Sequence, residues 1–114
     1  MNIQSIFSNK ILIQICFGQY DMQLNFHDGL SIMVSDSLLI KVLDKETAVW
    51  THESKNVNIE QVLKFLNKEV LEAKFDEVKG LFIKFSEGVF HIPKPDDDYE
   101  YLHVMSKEEG IYIY

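Results

Sequence analysis

The chain is poor in the residues that staple or anchor small proteins. Its 114 residues include one cysteine, Cys16, so no internal disulfide can form, which fits a reducing compartment. Basic residues are in deficit, 11 against 18 acids, for a net charge of −7. Such a chain repels phosphates and anionic lipid. That counts against nucleic acid and membrane surfaces as partners and leaves a basic protein as the natural complement. No apolar run approaches the roughly 18 residues of a membrane span. The start, Met1-Asn2-Ile3-Gln4, has no basic segment ahead of an apolar one, so no secretory leader is expected.

Signatures of chemistry are also missing. His27, His52, His91 and His103 include no i,i+4 pair, Cys16 has no cysteine partner, and the spacing of a calcium-binding EF-hand is absent. There is no Gly-x-Ser-x-Gly, no phosphate-cradling glycine loop and no helix with paired carboxylates. His27 beside Asp28 could act as an acid–base pair, but surface turns carry such pairs routinely. Cys16 lies in the apolar stretch Ile15-Cys16-Phe17, where a thiol is inert packing, and Trp50 closes a strand as a packing residue. The expectation is a cytoplasmic, non-enzymatic protein with no catalytic residue, metal or cofactor.

What is present is alternation and a repeat. The length suggests one domain, residues 1–114, able to bury roughly two-thirds of its unfolded surface without a metal. Leu24-Asn25-Phe26-His27-Asp28-Gly29-Leu30 returns 59 residues later as Ile83-Lys84-Phe85-Ser86-Glu87-Gly88-Val89. Alternation before acid-Gly reads as a strand entering a hairpin turn, with both glycines expected at positive φ. Tyr20, Met22, Leu24 and Phe26 share one face, and Leu30, Ile32 and Val34 continue it. Phe90 and Ile92 are displaced by one position relative to that pattern, which suggests a bulge at the second turn. Between Asn56 and Lys68 the period changes. Ile59, Val62, Leu63 and Leu66 form one amphipathic stripe, with Asn58 and Gln61 as a capping box. The expected fold is α+β: mainly antiparallel, curved sheet or sheets of about nine short strands, built from two pseudo-repeats with one amphipathic helix between them.

Ile83, Phe85, Glu87 and Gly88, then Asp96 to Asp98, then Tyr99-Glu100-Tyr101, resemble the pattern of a family of small, uncharacterised bacterial domains. That pattern has a hairpin unit, a short helix and a second hairpin that ends in a Tyr-Glu-aromatic stretch. The similarity runs from Leu24 onward and departs at Tyr101-Leu102, where the pattern more often has a nearby Trp. The pattern implies a fold and no activity. By size and charge the chain resembles toxin-neutralising immunity proteins, which implies a cognate toxin domain as partner. A phage or bacterial accessory protein that binds a defence-system component, and a small-molecule-binding β domain, are the alternative readings.

One stretch looks built for contact. Pro93-Lys94-Pro95 stiffens a loop carrying Asp96, Asp97, Asp98 and Glu100. Stiffening lowers the ordering cost of an interface loop. Tyr99, Tyr101 and His103 alternate with Glu100, Leu102 and Val104. If Leu102 and Val104 point inward, Tyr99 or Tyr101 is available as an aromatic anchor; if the tyrosines point inward, their hydroxyls need partners. The expected partner-binding residues are Asp96, Asp97, Asp98, Tyr99, Glu100 and Tyr101. The apolar end, Ile111 to Tyr114, reads as a strand that must pair inside the fold or with a partner.

Overall fold

A computed structural model describes residues 2–54, 57–97 and 99–114. The alternating stretches become ten strands: β1 (Leu12–Phe17), β2 (Met22–Phe26), β3 (Leu30–Val34), β4 (Ser37–Val42), β5 (Lys45–Thr51), β6 (Glu72–Asp76), β7 (Gly80–Phe85), β8 (Gly88–Pro93), β9 (Leu102–Ser106) and β10 (Gly110–Ile113). Two five-residue helices, α1 (Ile3–Phe7) and α2 (Ile59–Leu63), precede β1 and β6. The fold is α+β with two antiparallel sheets, ordered β1-β2-β3-β9-β10 and β5-β4-β8-β7-β6. No helix among the described residues is long and apolar enough to cross a membrane.

The two orders are the same order. Each sheet holds a three-strand meander, β1–β3 or β6–β8, whose last strand pairs with the hairpin of the other half, β9–β10 or β4–β5. The chain is thus two copies of helix, meander and hairpin, with the hairpins exchanged between sheets. Inward residues at every second position, such as Met22, Leu24 and Phe26 on β2 and Leu81, Ile83 and Phe85 on β7, join one buried cluster.

The copies meet where each first strand begins. Asn9 N–H donates to the Val70 carbonyl and Val70 N–H to that of Lys10. Asn67 N–H donates to the Leu12 carbonyl and Leu12 N–H to that of Lys68, so each bond has a twin 58 residues away. Asn9 (φ 64°) and Asn67 (φ 68°) both take the left-handed conformation that asparagine tolerates better than most residues. The phenylalanine two places earlier packs edge-on against the end of its hairpin strand: Phe7 on Phe26 at 5.7 Å, Phe65 on Phe85 at 5.2 Å. The following lysine reaches the hairpin acid, Lys10 to Asp28 at 3.9 Å and Lys68 to Glu87 at 3.6 Å. The acids of the two acid-Gly copies therefore share one role.

The glycines do not. Gly29 sits in a three-residue turn at φ 76°, as its turn requires, whereas Gly88 has no positive φ and is the first residue of β8, paired with Phe85. There a Cβ would lie 2.8 Å from the Lys41 carbonyl oxygen, so Gly88 serves the close approach of β4. The β7–β8 turn is the two residues Ser86-Glu87, one fewer than His27-Asp28-Gly29. That deletion displaces Phe90 and Ile92 by one position; the expected bulge is not there. His27 is part of the frame: its Nδ1 accepts the Ile11 N–H at 2.9 Å, which requires that nitrogen to be unprotonated.

The second helix is shorter than its expected stripe and turned differently. After Leu63 the chain continues in i→i+3 bonds, Phe65 N–H to Val62, Leu66 to Leu63 and Lys68 to Phe65. A tighter winding moves the inner face from i+4 to i+3. Val62 and Phe65 are buried, Ile59 and Leu66 half-buried, and Leu63 points out at 46% exposure. Asn58 does not cap the helix with its side chain; its Nδ2 donates to the Ala48 carbonyl and its N–H to that of Val49, both on β5.

Phe65→Ala is expected to cost about 3–5 kcal/mol in a denaturant melt, as for other buried phenylalanines, and Leu63→Ala less than about 1 kcal/mol. His27→Ala, which strands the Ile11 N–H, should cost about 1–2 kcal/mol.

Candidate functional site

The connection from β8 to β9 is pinned at its far end. Tyr101 N–H donates to the Tyr114 carbonyl, and the Tyr101 carbonyl accepts the Ser35 N–H. These bonds wedge the backbone between the β3–β4 turn and the end of the chain. Its side chain follows the backbone inward: Tyr101 is 3% exposed and cannot serve as the aromatic anchor expected of it. Among the described residues its hydroxyl meets no hydrogen-bond partner, and burial raises its pKa. The alternation fails because β9 begins only at Leu102, so Tyr101 precedes the pleat and both Tyr101 and Leu102 are buried.

Tyr99 points outward at 54% exposure, and its hydroxyl donates to Asp36 Oδ1 at 3.3 Å. Its pKa is raised first by the Asp36 carboxylate, then by burial and that hydrogen bond, with further repulsion from Asp97 and Glu53. Asp36 lies in the β3–β4 turn and Glu53 in the turn after β5, beside it because Ser37 pairs with Thr51 and His52 N–H donates to the Asp36 carbonyl. Asp96 and Asp97 are exposed, as is Glu100, whose Oε2 lies 3.1 Å from His103 Nε2. Asp98 lies outside the described residues. The acidic stretch is therefore part of a wider patch. Asp36 and Glu53 carry no local signal in the sequence; only strand order brings them to Tyr99.

The outer faces of the two sheets differ sharply. On the β5-β4-β8-β7-β6 sheet, register aligns Glu72, Lys84, Val89, Lys41 and Glu46 in one row, with Lys74, Phe82, His91, Leu39 and Ala48 in the next. Glu72–Lys84 and Lys41–Glu46 are directly opposed pairs of opposite charge, the arrangement of a solvated face. His91 stacks on Phe82 at 4.2 Å, and its Nε2 lies 2.9 Å from the Lys79 carbonyl. On the β1-β2-β3-β9-β10 sheet, the corresponding rows are Gln14, Asn25, Ser31, Met105 and Ile111, then Cys16, Gln23, Met33, His103 and Ile113. No Asp, Glu, Lys or Arg is among them. Asn25 Nδ2 donates to Gln14 Oε1 at 2.8 Å, and Gln23 Nε2 donates to Asn25 Oδ1 at 3.0 Å, so the amides satisfy one another. Cys16 belongs to this face, exposed rather than packed inside, because Leu12 and Ile15 take the inward positions of β1.

Trp50 is fully buried in the core. Among the described residues no group of three or more His, Cys, Asp or Glu side chains could hold a metal. A depression of about 580 Å³ between α1 and β6, lined by Gln4, Phe75 and Tyr114, is open to solvent. Compared with family models, curated proteins and solved structures, the chain finds no match.

Asp36→Asn should lower the pKa of one tyrosine in a spectrophotometric titration, because it removes the charge that opposes the Tyr99 phenolate. Tyr101→Phe should leave stability unchanged or raise it by about 1 kcal/mol in a thermal melt, since the hydroxyl it removes has no partner to lose.

Proposed function

We propose that the protein is a protein-binding inhibitor, an immunity protein that binds a basic toxin domain in the cytoplasm and neutralises it. The observation that carries this reading is the patch around Tyr99. Carboxylates from separate segments, Asp36, Glu53 and Asp97, converge on one exposed aromatic ring whose hydroxyl is already held. An anchored tyrosine gives up little conformational freedom on binding, and tyrosine is enriched among residues that dominate interface energies. Carboxylates around it complement lysines and arginines, which is the surface a phosphate-gripping toxin presents. With the chain's net charge of −7, they speed encounter more than they tighten the final complex. The likeness of the overall size and charge to immunity proteins points to the same class of partner.

The test starts from the protein retained by the tagged chain in the cells it comes from. That partner is purified, and its activity is measured with and without one equivalent of the chain. Asp96→Asn, Asp97→Asn and Asp98→Asn together should slow association about tenfold at low ionic strength and flatten its salt dependence, because screening removes steering over a Debye length of about 8–10 Å. Tyr99→Ala should act on the off-rate instead, with a loss of about 2 kcal/mol. A partner whose activity is untouched by saturating chain would refute inhibition.

A further inference from the structure

We infer that the outer face of the β1-β2-β3-β9-β10 sheet, with its open edge at β10, is the centre of the docking surface. Its occupant is a different protein whose contact is uncharged and apolar in the middle and basic on the side that meets Glu100 and Tyr99. The inference rests on the protein-binding reading above and adds where the partner sits.

The duplication supplies an internal comparison. The two outer faces descend from equivalent strands and hold equivalent positions, so solvent contact alone would dress them alike. One keeps the opposed pair Lys41–Glu46 where the other has Met105 and Ile111. In a chain with 25% charged residues, a whole face without one charge is a departure that needs a cause. Charge depletion at the centre with polar groups at the rim is the anatomy of a protein interface.

One edge stands apart from the other three: on the neutral sheet Leu12 of β1 is bonded to Asn67 and Lys68. On the charged sheet both edges are engaged: Asn58 bonds the carbonyls of Ala48 and Val49 on β5, and Gln4 Oε1 accepts the Ala73 N–H on β6 at 2.8 Å. β10 has β9 on one side and no strand on the other, and no such helix-borne hydrogen bond reaches Gly110–Ile113 among the described residues. Ile111 and Ile113 stand 66% and 53% exposed there, with no proline or lysine to blunt the edge.

Continuity and size identify the occupant. His103 lies on the neutral face and bonds Glu100 of the acidic stretch, so the two surfaces adjoin. Five strands about 4.8 Å apart and five residues deep at about 3.3 Å each give a planar footprint of about 400 Å². A stable interface needs about 800 Å² per partner. Two copies of the chain joined by this face would bring together two molecules that each carry −7. A basic partner that covers the face and continues onto the acidic patch buries more surface and opposes no charge of its own sign.

The experiment moves the charged face onto the neutral one. The double variant Met105→Lys with Ile111→Glu recreates the opposed Lys41–Glu46 pair in register, so the fold should persist, checked by circular dichroism and thermal melting. The control, Lys41→Gln with Glu46→Gln, alters the other sheet. In living cells, benzoyl-phenylalanine in place of Met105 or Ile111, and separately of Lys41 or Glu46, reports what lies against each face. The expected result is an adduct with one other protein from positions 105 and 111 only. That protein, purified, should bind the Met105→Lys, Ile111→Glu variant at least tenfold more weakly and the control normally. An adduct between two copies of the chain overturns the occupant. A partner that binds, is inhibited, and is indifferent to Met105→Lys with Ile111→Glu overturns the face and leaves the proposed function standing. If no position yields an adduct and no protein is retained, both fall. Should the double variant fail to fold, Ile113→Lys alone, at an exposed edge position, takes its place with the same outcomes.

Discussion

The architecture depends on the four backbone hydrogen bonds that join Asn9–Leu12 to Asn67–Val70. They fasten the start of β1 to the start of β6 around a local two-fold relation and then send the two strands into different sheets. Each meander is left with a free side on its last strand, and the hairpin of the other half covers it. Exchange of hairpins follows from the crossing. Two left-handed asparagines make the crossing, since each lets the chain turn sharply from helix to strand while keeping its N–H directed at the other copy. The phenylalanine before and the lysine after each asparagine then fix where its hairpin lies. The ion pairs are partly exposed and of small energetic weight; the contacts between buried rings weigh more.

Much of this was legible, but not the crossing itself. Strand alternation is a local, period-two signal, so β2 and β3 could be read from Met22 to Val34 residue by residue. The acid-Gly copies revealed the duplication because turn chemistry is also local. Phe-x-Asn-Lys stands at Phe7–Lys10 and again at Phe65–Lys68, in plain view, yet its meaning is a contact between positions 58 residues apart. No periodicity reports such a contact. α1 escaped because five residues cannot establish a helical period, although Asn2 caps it through the Ser5 N–H. Phe65 takes the inner position expected of Leu63 because i→i+3 winding is a choice the packing makes, not the sequence pattern.

The candidate surface was legible in the same uneven way. The loop acids and Tyr99 announce themselves by composition, while Asp36 and Glu53 join them only through the pairing of β4 with β5. Tyr101 misled because strand alternation was carried back to Tyr99, three residues ahead of the start of β9 at Leu102. The neutral face could not be seen at all from sequence, since its members come from five strands that span Gln14 to Ile113 and are adjacent only in register.

Duplicated domains begin with two of everything, and what persists unequally is informative. The interior has kept its symmetry: Phe7 answers Phe65, Leu12 answers Val70, and Leu24 answers Ile83, all of them buried. Close packing punishes divergence there, because a change of even one methylene is felt by every neighbour. The outer faces are under no such constraint, and on them the copies have parted. One has opposed charges that suit water; the other has amides, methionines and isoleucines that tolerate water and suit a dry contact better. Stability does not account for the difference, since paired charges on an exposed sheet are, if anything, mildly favourable. A face without such pairs, in a chain with a net charge of −7, is the surface that the proposed docking requires.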